Sequence, residues 1–286
     1  MRTLRDKVVV ITGAGSGIGR ALAVHAAVAG AVPALSDVDE PGLRETAELV
    51  LAATGRRPRT DAVDVRDRAA VHDYAGAVSA GLGRVDVVVN NAGVALHGGL
   101  EEVGYHDLEW VMDVDFWGVV HGTKEFLPHL VASGDGCLVN LSSLFGIMGM
   151  AGQTAYCSAK FAVRGFTESL RLELLLAGTP VQVTCVHPGG VRTAIVRHAR
   201  ISASHDKADV ERHFEQRLAR TTPEQAARAI WAGVLAGRAR VLVGADAKAL
   251  DVAVRLLGSG YQRLVTRVMR PTGPRPLVPP PPPAAR

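Results

Sequence analysis

The chain has 286 residues, 48% of them hydrophobic, 21% charged and only 5% aromatic, enough for one large α/β domain or two small ones. A core built mainly from Ala, Val and Leu suits buried parallel strands under closely packed helices. The net charge of +4 does not argue for nucleic acid as a partner: six arginines and no acid lie from Arg255 onward, and no basic stripe with interleaved aromatics is present.

Short β-branched runs alternate with longer Ala/Leu-rich stretches. Residues 7–11 (KVVVI) read as a strand and 17–29 as a helix closed by Gly30. Strand 32–36 follows, with Pro33 tolerable near its start. Then come helix 41–53, strand 59–63, helix 68–82 and the continuous apolar strand 85–89 (VDVVV). A long helix over 108–133, strand 136–141, a second long helix over 155–176 and strand 181–186 complete the centre. Helix 221–236 opens on a Thr-Pro-Glu start signal, and 240–243 is a final strand. This alternation predicts an α/β fold with a doubly wound parallel sheet, its ligand beyond the carboxyl ends of the strands.

The pattern divides the chain into a catalytic domain over 1–245, a C-terminal helical extension over 246–270 and a proline-rich, disordered tail over 271–286 containing PPPPP. Within the first, the polar stretch 194–220 reads as a mobile lid. Cys137, Cys157 and Cys185 lack CxxC spacing and read as buried thiols, with no ligand spacing for a metal. The beginning of the chain lacks the apolar run of a signal peptide, and no stretch has the length of a membrane span, so a reducing cytoplasm is expected.

The run Thr12-Gly13-Ala14-Gly15-Ser16-Gly17-Ile18-Gly19 ends the first strand and opens a helix. Glycines there let the backbone approach a pyrophosphate, which free N–H groups and the helix dipole attract. Asp37 ends the second strand, where a carboxylate accepts from both ribose hydroxyls and repels a 2′-phosphate. Ser16 and Val38 are uncharged where a phosphate-binding cation would sit, which favours NAD over NADP; the plainer alternative is that Asp37 or Asp39 caps the next helix.

Tyr156 and Lys160 are four residues apart, so they project from one helix face, next to an apolar stripe of Ala159, Val163, Phe166, Leu170 and Leu174. A phenol is a poor base at neutral pH, and a nearby ammonium favours the phenolate. Ser143 follows a strand thirteen residues earlier. Asn90-Asn91-Ala92-Gly93 and Pro188-Gly189-Gly190-Val191-Arg192-Thr193 also follow predicted central strands. Each has a structural explanation alone; together they fall on one edge of one sheet.

In motif order and spacing, residues 4–243 resemble the short-chain dehydrogenase/reductase family. The resemblance implies a seven-stranded sheet of order 3-2-1-4-5-6-7 and a homodimer or homotetramer. It implies Tyr156 as acid/base, Lys160 as the residue that binds the nicotinamide ribose and lowers the tyrosine pKa, and Ser143 as donor to the substrate oxygen. Asp64 and Val65 would contact adenine, Asn91 and Ala92 the adenosine ribose side, and Val191 and Thr193 the carboxamide. The family usually has asparagine, in an N-x-x-G pattern, where this chain has Asp115. That exchange keeps an acceptor but loses the amide donor, or adds a buried charge beside Lys160.

The segment from Leu144 to Met150, with Phe145 and Met150 as substrate contacts, and Leu96 suggest an apolar cleft for a hydrophobic secondary alcohol, ketone or steroid-like molecule. His97 could touch substrate or simply be solvated. Phe116, Trp117, Phe126 and Leu127 could be interface or core. The amphipathic basic stretch 247–270 reads as a helix packed on the body or a neighbouring subunit, with an anionic membrane surface the less favoured alternative. Rival functions are an NADP-dependent carbonyl reductase and a non-catalytic dinucleotide-binding regulator; a methyltransferase would not require the Tyr/Lys pair.

Overall fold

The most apolar runs become the central strands. The computed structural model describes residues 1–213 and 219–269; the expected tail over 271–286 and part of the expected lid lie outside them. The seven strands of the main sheet are β1 (Val8–Thr12), β2 (Val32–Asp37), β3 (Arg59–Ala62), β4 (Val87–Asn90), β5 (Gly136–Leu141), β6 (Val181–Pro188) and β7 (Arg240–Val243). They are all parallel, in the order β3-β2-β1-β4-β5-β6-β7. This is the expected doubly wound sheet. β1, β4 and β5 are buried at every position, so helices must cover both faces. Pro33 lies in β2 before the pairing with β3 begins at Ala34.

Alternation along β1 sorts the core into two layers. Val9 and Ile11 pack with Leu22 and Ala26 of helix α1 (Gly17–Val28), and with Ile230 and Trp231 of the late helix 223–235. Val8 and Val10 face the opposite layer, which holds Val71, Tyr74 and Val78 from helix 68–82, Phe126 and Leu130 from 118–132, and Leu174 from 154–176. Phe126 is therefore core, and Leu127 packs against the same cluster. Of the candidate interface residues, only Trp117 is exposed.

Helix starts follow local chemistry. Asp39 caps α2 (Glu40–Thr54) by accepting from Gly42 N–H, and Asp67 caps α3 (Arg68–Leu82) by accepting from Ala69 and Ala70 N–H. The expected helix over 108–133 is instead α4 (Tyr105–Met112), a π-turn over Asp113–Trp117 and α5 (Gly118–Ala132). After α6 (Thr154–Leu176) and the short α7 (Lys207–His213), α8 (Pro223–Leu235) opens with a reciprocal Thr222/Gln225 capping box. The amphipathic stretch 247–270 is not one helix. α9 (Ala245–Leu257) and α10 (Tyr261–Met269) are separated by a tight turn at Gly258-Ser259-Gly260, residues that favour breaks over helix interiors.

The sheet order reverses beside β1: the chain moves outward to β2 and β3, then returns to place β4 on the other side. The crevice beyond the carboxyl ends of β1 and β4 is thus the ligand position for this topology. The stretch 194–220 carries structure the sequence did not announce. Its short strand Arg200–Ile201 pairs in parallel with Leu96–His97, tying it to the segment after the NNAG turn.

Candidate active site

At the carboxyl ends of β1 and β4, the glycine loop and the NNAG turn hold each other. Thr12 Oγ1 accepts from Asn91 N–H at 3.0 Å and Ala92 N–H at 3.1 Å. The Asn91 amide donates to the carbonyls of Thr12 and Gly13 at 2.9 and 3.0 Å. The contact is too close for side chains: a Cβ on Gly13, at φ +65°, would lie 2.7 Å from Ala92 Cα. One on Gly19 would collide with the Gly13 carbonyl and the Asn91 amide. Thr12 therefore has a joining role that motif reading alone did not assign; its position at the strand end, before the first glycine, was the available signal.

Unlike α2, α3 and α8, helix α1 has no side-chain cap: Ser16 makes no capping bond, and no acid lies in the first turn. Uncapped N–H groups at the positive end of a helix, beneath a glycine loop, fit a pyrophosphate. Gly15, Gly17 and Ile18 belong to the same cradle. Asp37 sits against it, with Oδ2 accepting from Gly15 N–H at 2.7 Å and Oδ1 from Asp39 N–H at 3.0 Å. The capping role belongs to Asp39, which leaves Asp37 at the loop. Arg20 braces the loop from behind, donating to the carbonyls of Gly15 and Gly42.

Further along the crevice, Asp64 is held by Arg66, whose guanidinium keeps the carboxyl below its ordinary range against the opposing effect of burial. Val65 lies under Gly118, and its carbonyl is 3.0 Å from His121 Nδ1. On the opposite side, the loop after β6 folds over the glycine turn. Thr193 Cγ2 lies 3.0 Å from where a Gly17 Cβ would stand, and buried Val191 bridges to Thr221. Gly189 N–H bonds to Val243 O at 2.9 Å, and Gly190 N–H to Asp246 at 2.8 Å, fixing the turn that begins at Pro188.

α6 brings the chemical groups together. Ala159 and Val163 are fully buried and anchor the helix, so Tyr156 and Lys160 face the crevice side of the core. Lys160 Nζ is 5.6 Å from the Tyr156 ring centroid, 3.3 Å from Leu141 O and 3.1 Å from Asp115 Oδ2. Asp115 is 0% exposed and Lys160 only 4%. At 3.1 Å the ion pair is close, but its angle is not that of a well-directed hydrogen bond to Oδ2. The other carboxylate oxygen accepts from Val94 N–H at 2.7 Å. Gly93 passes both groups so closely that a Cβ would sit 3.3 Å from each. The Asp115 substitution thus takes the form of a buried charge beside Lys160.

Electrostatics follow from this triad. Burial pushes the Tyr156 phenol up, the Lys160 ammonium pulls it down, Asp115 pushes it up again, and the Ser143 hydroxyl pulls it down; the net direction is upward. Lys160 acts in the expected sense, but its charge is answered by Asp115. Burial disfavours the ammonium, yet Asp115 and Tyr156 hold Lys160 above its ordinary value. Burial also raises the Asp115 carboxyl, against the pull of Lys160 and Val94 N–H.

Ser143 begins a 3-10 turn (Leu144–Gly146), its Oγ accepting from Phe145 N–H at 3.1 Å. Ser142 Oγ donates to Lys160 O at 2.8 Å, joining β5 to α6. Phe145 meets Tyr156 edge-to-face at 6.3 Å, and Phe145 and Met150 are partly exposed. Leu144, Ile147 and Met148 are instead buried, so only part of the apolar segment is free to line a cleft. His97 is not simply solvated: Nδ1 lies 2.9 Å from the Gln153 amide, and its ring meets His205 edge-on at 4.8 Å. Tyr261 of α10 accepts from Gly149 N–H at 2.8 Å, bringing the C-terminal extension onto the post-serine segment. Among the described residues, no three His, Cys, Asp or Glu side chains converge as metal ligands would.

An anion cradle at a switch point, leading to a phenol beside a buried ammonium, is the equipment of a nicotinamide-dependent oxidoreductase. Residues 7–203 match the family described as short chain dehydrogenase, and the chain belongs to that family. SadH of Mycobacterium tuberculosis, which carries the name of an oxidoreductase, is 54% identical over 265 residues, covering 93% of this chain and 96% of its own length. A Burkholderia phymatum short-chain dehydrogenase/reductase solved with NAD superposes with TM-score 0.81 at 29% identity, over 96% of this chain and 100% of that one. An alcohol dehydrogenase from Thermococcus sibiricus solved with 5-hydroxy-NADP gives TM-score 0.71 at 25% identity, over 84% and 96%. The protein is an enzyme that moves hydride between NAD(P) and CH–OH groups.

Proposed function

We propose that this enzyme uses NAD and acts on a hydrophobic secondary alcohol or the matching ketone, aliphatic or steroid-like, with Tyr156 as the acid/base. The observation that carries the reading is the packing of Tyr156 one helical turn from an ammonium buried with its counter-ion, beside Ser143. The bound nicotinamide supplies the hydride acceptor or donor. Tyr156 takes the hydroxyl proton during oxidation and returns it during reduction, Ser143 holds the substrate oxygen, and Lys160 holds the cofactor ribose and favours the phenolate. Asp115 raises the Lys160 ammonium further above its ordinary value and opposes its pull on the phenol.

The preference for NAD rests on Asp37: its carboxylate stands at the glycine loop, where a 2′-phosphate would meet like charge. An apolar substrate is supported by Phe145 and Met150, partly exposed next to Tyr156 and the C-terminal helices. Residues 194–213 act as a lid hinged on the Leu96–His97 strand pair, and 246–269 is an extension that meets the post-serine segment through Tyr261. A homodimer or homotetramer is supported by apolar side chains left exposed on α5 and α6: Trp117 at the helix junction, Val131, Phe161, Leu172, Leu175 and Leu176.

The test is a panel of 2-octanol, cyclohexanol, 1-indanol and a 3-hydroxysteroid, with their ketones, each with NAD(H) and NADP(H), followed at the nicotinamide absorbance. At least one apolar alcohol should turn over with NAD in preference to NADP. Tyr156→Phe should lower kcat by about 10³-fold, the scale of a lost general acid/base. Full activity in Tyr156→Phe would remove the mechanism, and a preference for NADP would remove the cofactor assignment.

A further inference from the structure

His187, the penultimate residue of β6, is completely buried and lies outside the groups used above. Its Nδ1 is 2.9 Å from the main-chain carbonyl oxygen of Ser143. A carbonyl can only accept, so Nδ1 carries the proton and Nε2 is a lone pair. That lone pair is buried without a partner. Burial, with Arg240 and Arg164 acting in the same sense, outweighs the Ser143 carbonyl and Glu168 and pushes the ring down to about 4, so it is neutral with one fixed tautomer at physiological pH. A protonated ring would add a second N–H with nothing to accept it.

The place of this bond in the sheet gives it meaning. The ladder between β5 and β6 continues past Leu141 with Ser142 N–H bonding to Val186 O at 2.8 Å. At Ser143 the backbone leaves the strand for the 3-10 turn, and the His187 side chain takes up the next carbonyl. The carbonyl side of Ser143 is thus held by the imidazole, while its hydroxyl is held by Phe145 N–H. The ring spends a buried lone pair to make the first of these contacts, which packing alone does not require.

We propose that His187 is a positioning residue for the reaction: its Nδ1–H fixes the peptide plane of Ser143 and thereby aims the serine hydroxyl at the substrate oxygen. The inference rests on the reading of Ser143 as the group that holds that oxygen. His187 touches neither substrate nor cofactor in this scheme. Its effect falls on the chemical step and not on dinucleotide affinity.

The experiment compares His187→Leu, His187→Asn and Ser143→Ala in NAD-linked oxidation of the alcohol from the panel with the highest kcat/KM. Asparagine and leucine have closely similar shapes, but only the asparagine amide can place an N–H where Nδ1–H stands. His187→Leu is expected to lower kcat about tenfold while KM for NAD stays within about twofold, because slight misaiming of a reacting group is costly. His187→Asn should recover kcat to within about threefold of the parent. Equal impairment of the two variants, unchanged kcat in His187→Leu, or a leucine variant that does not fold would each overturn the proposal, the last by making the ring a requirement of the strand. Unchanged kcat in Ser143→Ala would overturn the reading of Ser143 and this inference with it. A crippled Ser143→Ala beside a fully active His187→Leu would overturn this inference alone.

Discussion

Asp115 is where a single residue has the most leverage on the chemistry. Its carboxylate raises Tyr156 and Lys160 together, from a site with no exposure to water. Asp115→Asn keeps an oxygen for Val94 N–H but removes the charge that answers Lys160. The ammonium then acts on the phenol without opposition, so the tyrosine pKa falls. The limb of the oxidation pH–rate profile that reports loss of the phenolic proton should move to lower pH by about one unit, within the range of effects from a neighbouring charge. A profile with neither limb displaced would show that the carboxylate does not govern the phenol. From sequence, Asp115 was visible as a departure from the family pattern, and both consequences of the exchange could be written down. Choosing between them required the 3.1 Å separation from Lys160, a contact across forty-five positions of chain that no local pattern encodes.

Elements whose formation is decided locally were the legible ones. The continuous apolar runs became buried strands, and the Thr-Pro-Glu signal became a capping box on α8. The π-turn was not legible, because Asp113–Trp117 contains neither proline nor glycine and the lone Gly118 at its end does not by itself announce a change of register. What the π-turn accomplishes is tertiary: it holds Asp115 against Val94 and Lys160, and such turns are frequent at functional sites. The pairing of Leu96–His97 with Arg200–Ile201 was hidden for the same reason, since two residues give no periodicity to read. The glycine loop, in contrast, follows from composition and position alone. Gly19→Ala tests how tightly it is packed. The added methyl must displace the Gly13 carbonyl or the Asn91 amide, so a loss of about 1–3 kcal/mol in unfolding free energy is expected. NAD affinity should fall with it, measurable by calorimetric titration. A variant with parental stability and affinity would mean that the loop can relax without consequence.

For the whole molecule, the doubly wound parallel sheet was readable from the alternation of strands and helices, while the order of its seven strands came only with the family resemblance. Association was less readable. The family resemblance left Phe126 and Leu127 open between subunit contact and core; both serve the core, and a large exposed apolar face lies farther along α6. Leu172 is 62% exposed and Leu176 90%, one turn apart. Leu172→Glu/Leu176→Glu should shift the enzyme to a smaller species in sedimentation velocity while leaving its far-ultraviolet circular dichroism unchanged. An unaltered sedimentation coefficient would show that these two leucines form no subunit contact.

The three cysteines are buried in β5, α6 and β6, and burial pushes Cys137 and Cys185 to about 12. In the folded molecule the Cys137 and Cys185 sulfurs, 0% and 1% exposed, are neither ionised nor within reach of an electrophile. Each gains reactivity only when its own element opens, so the rate at which an alkylating reagent consumes them is a clock for the breathing of the sheet. The enzyme carries its own probes of local unfolding, and the same placement shelters it from oxidants that would inactivate a protein with thiols at its surface.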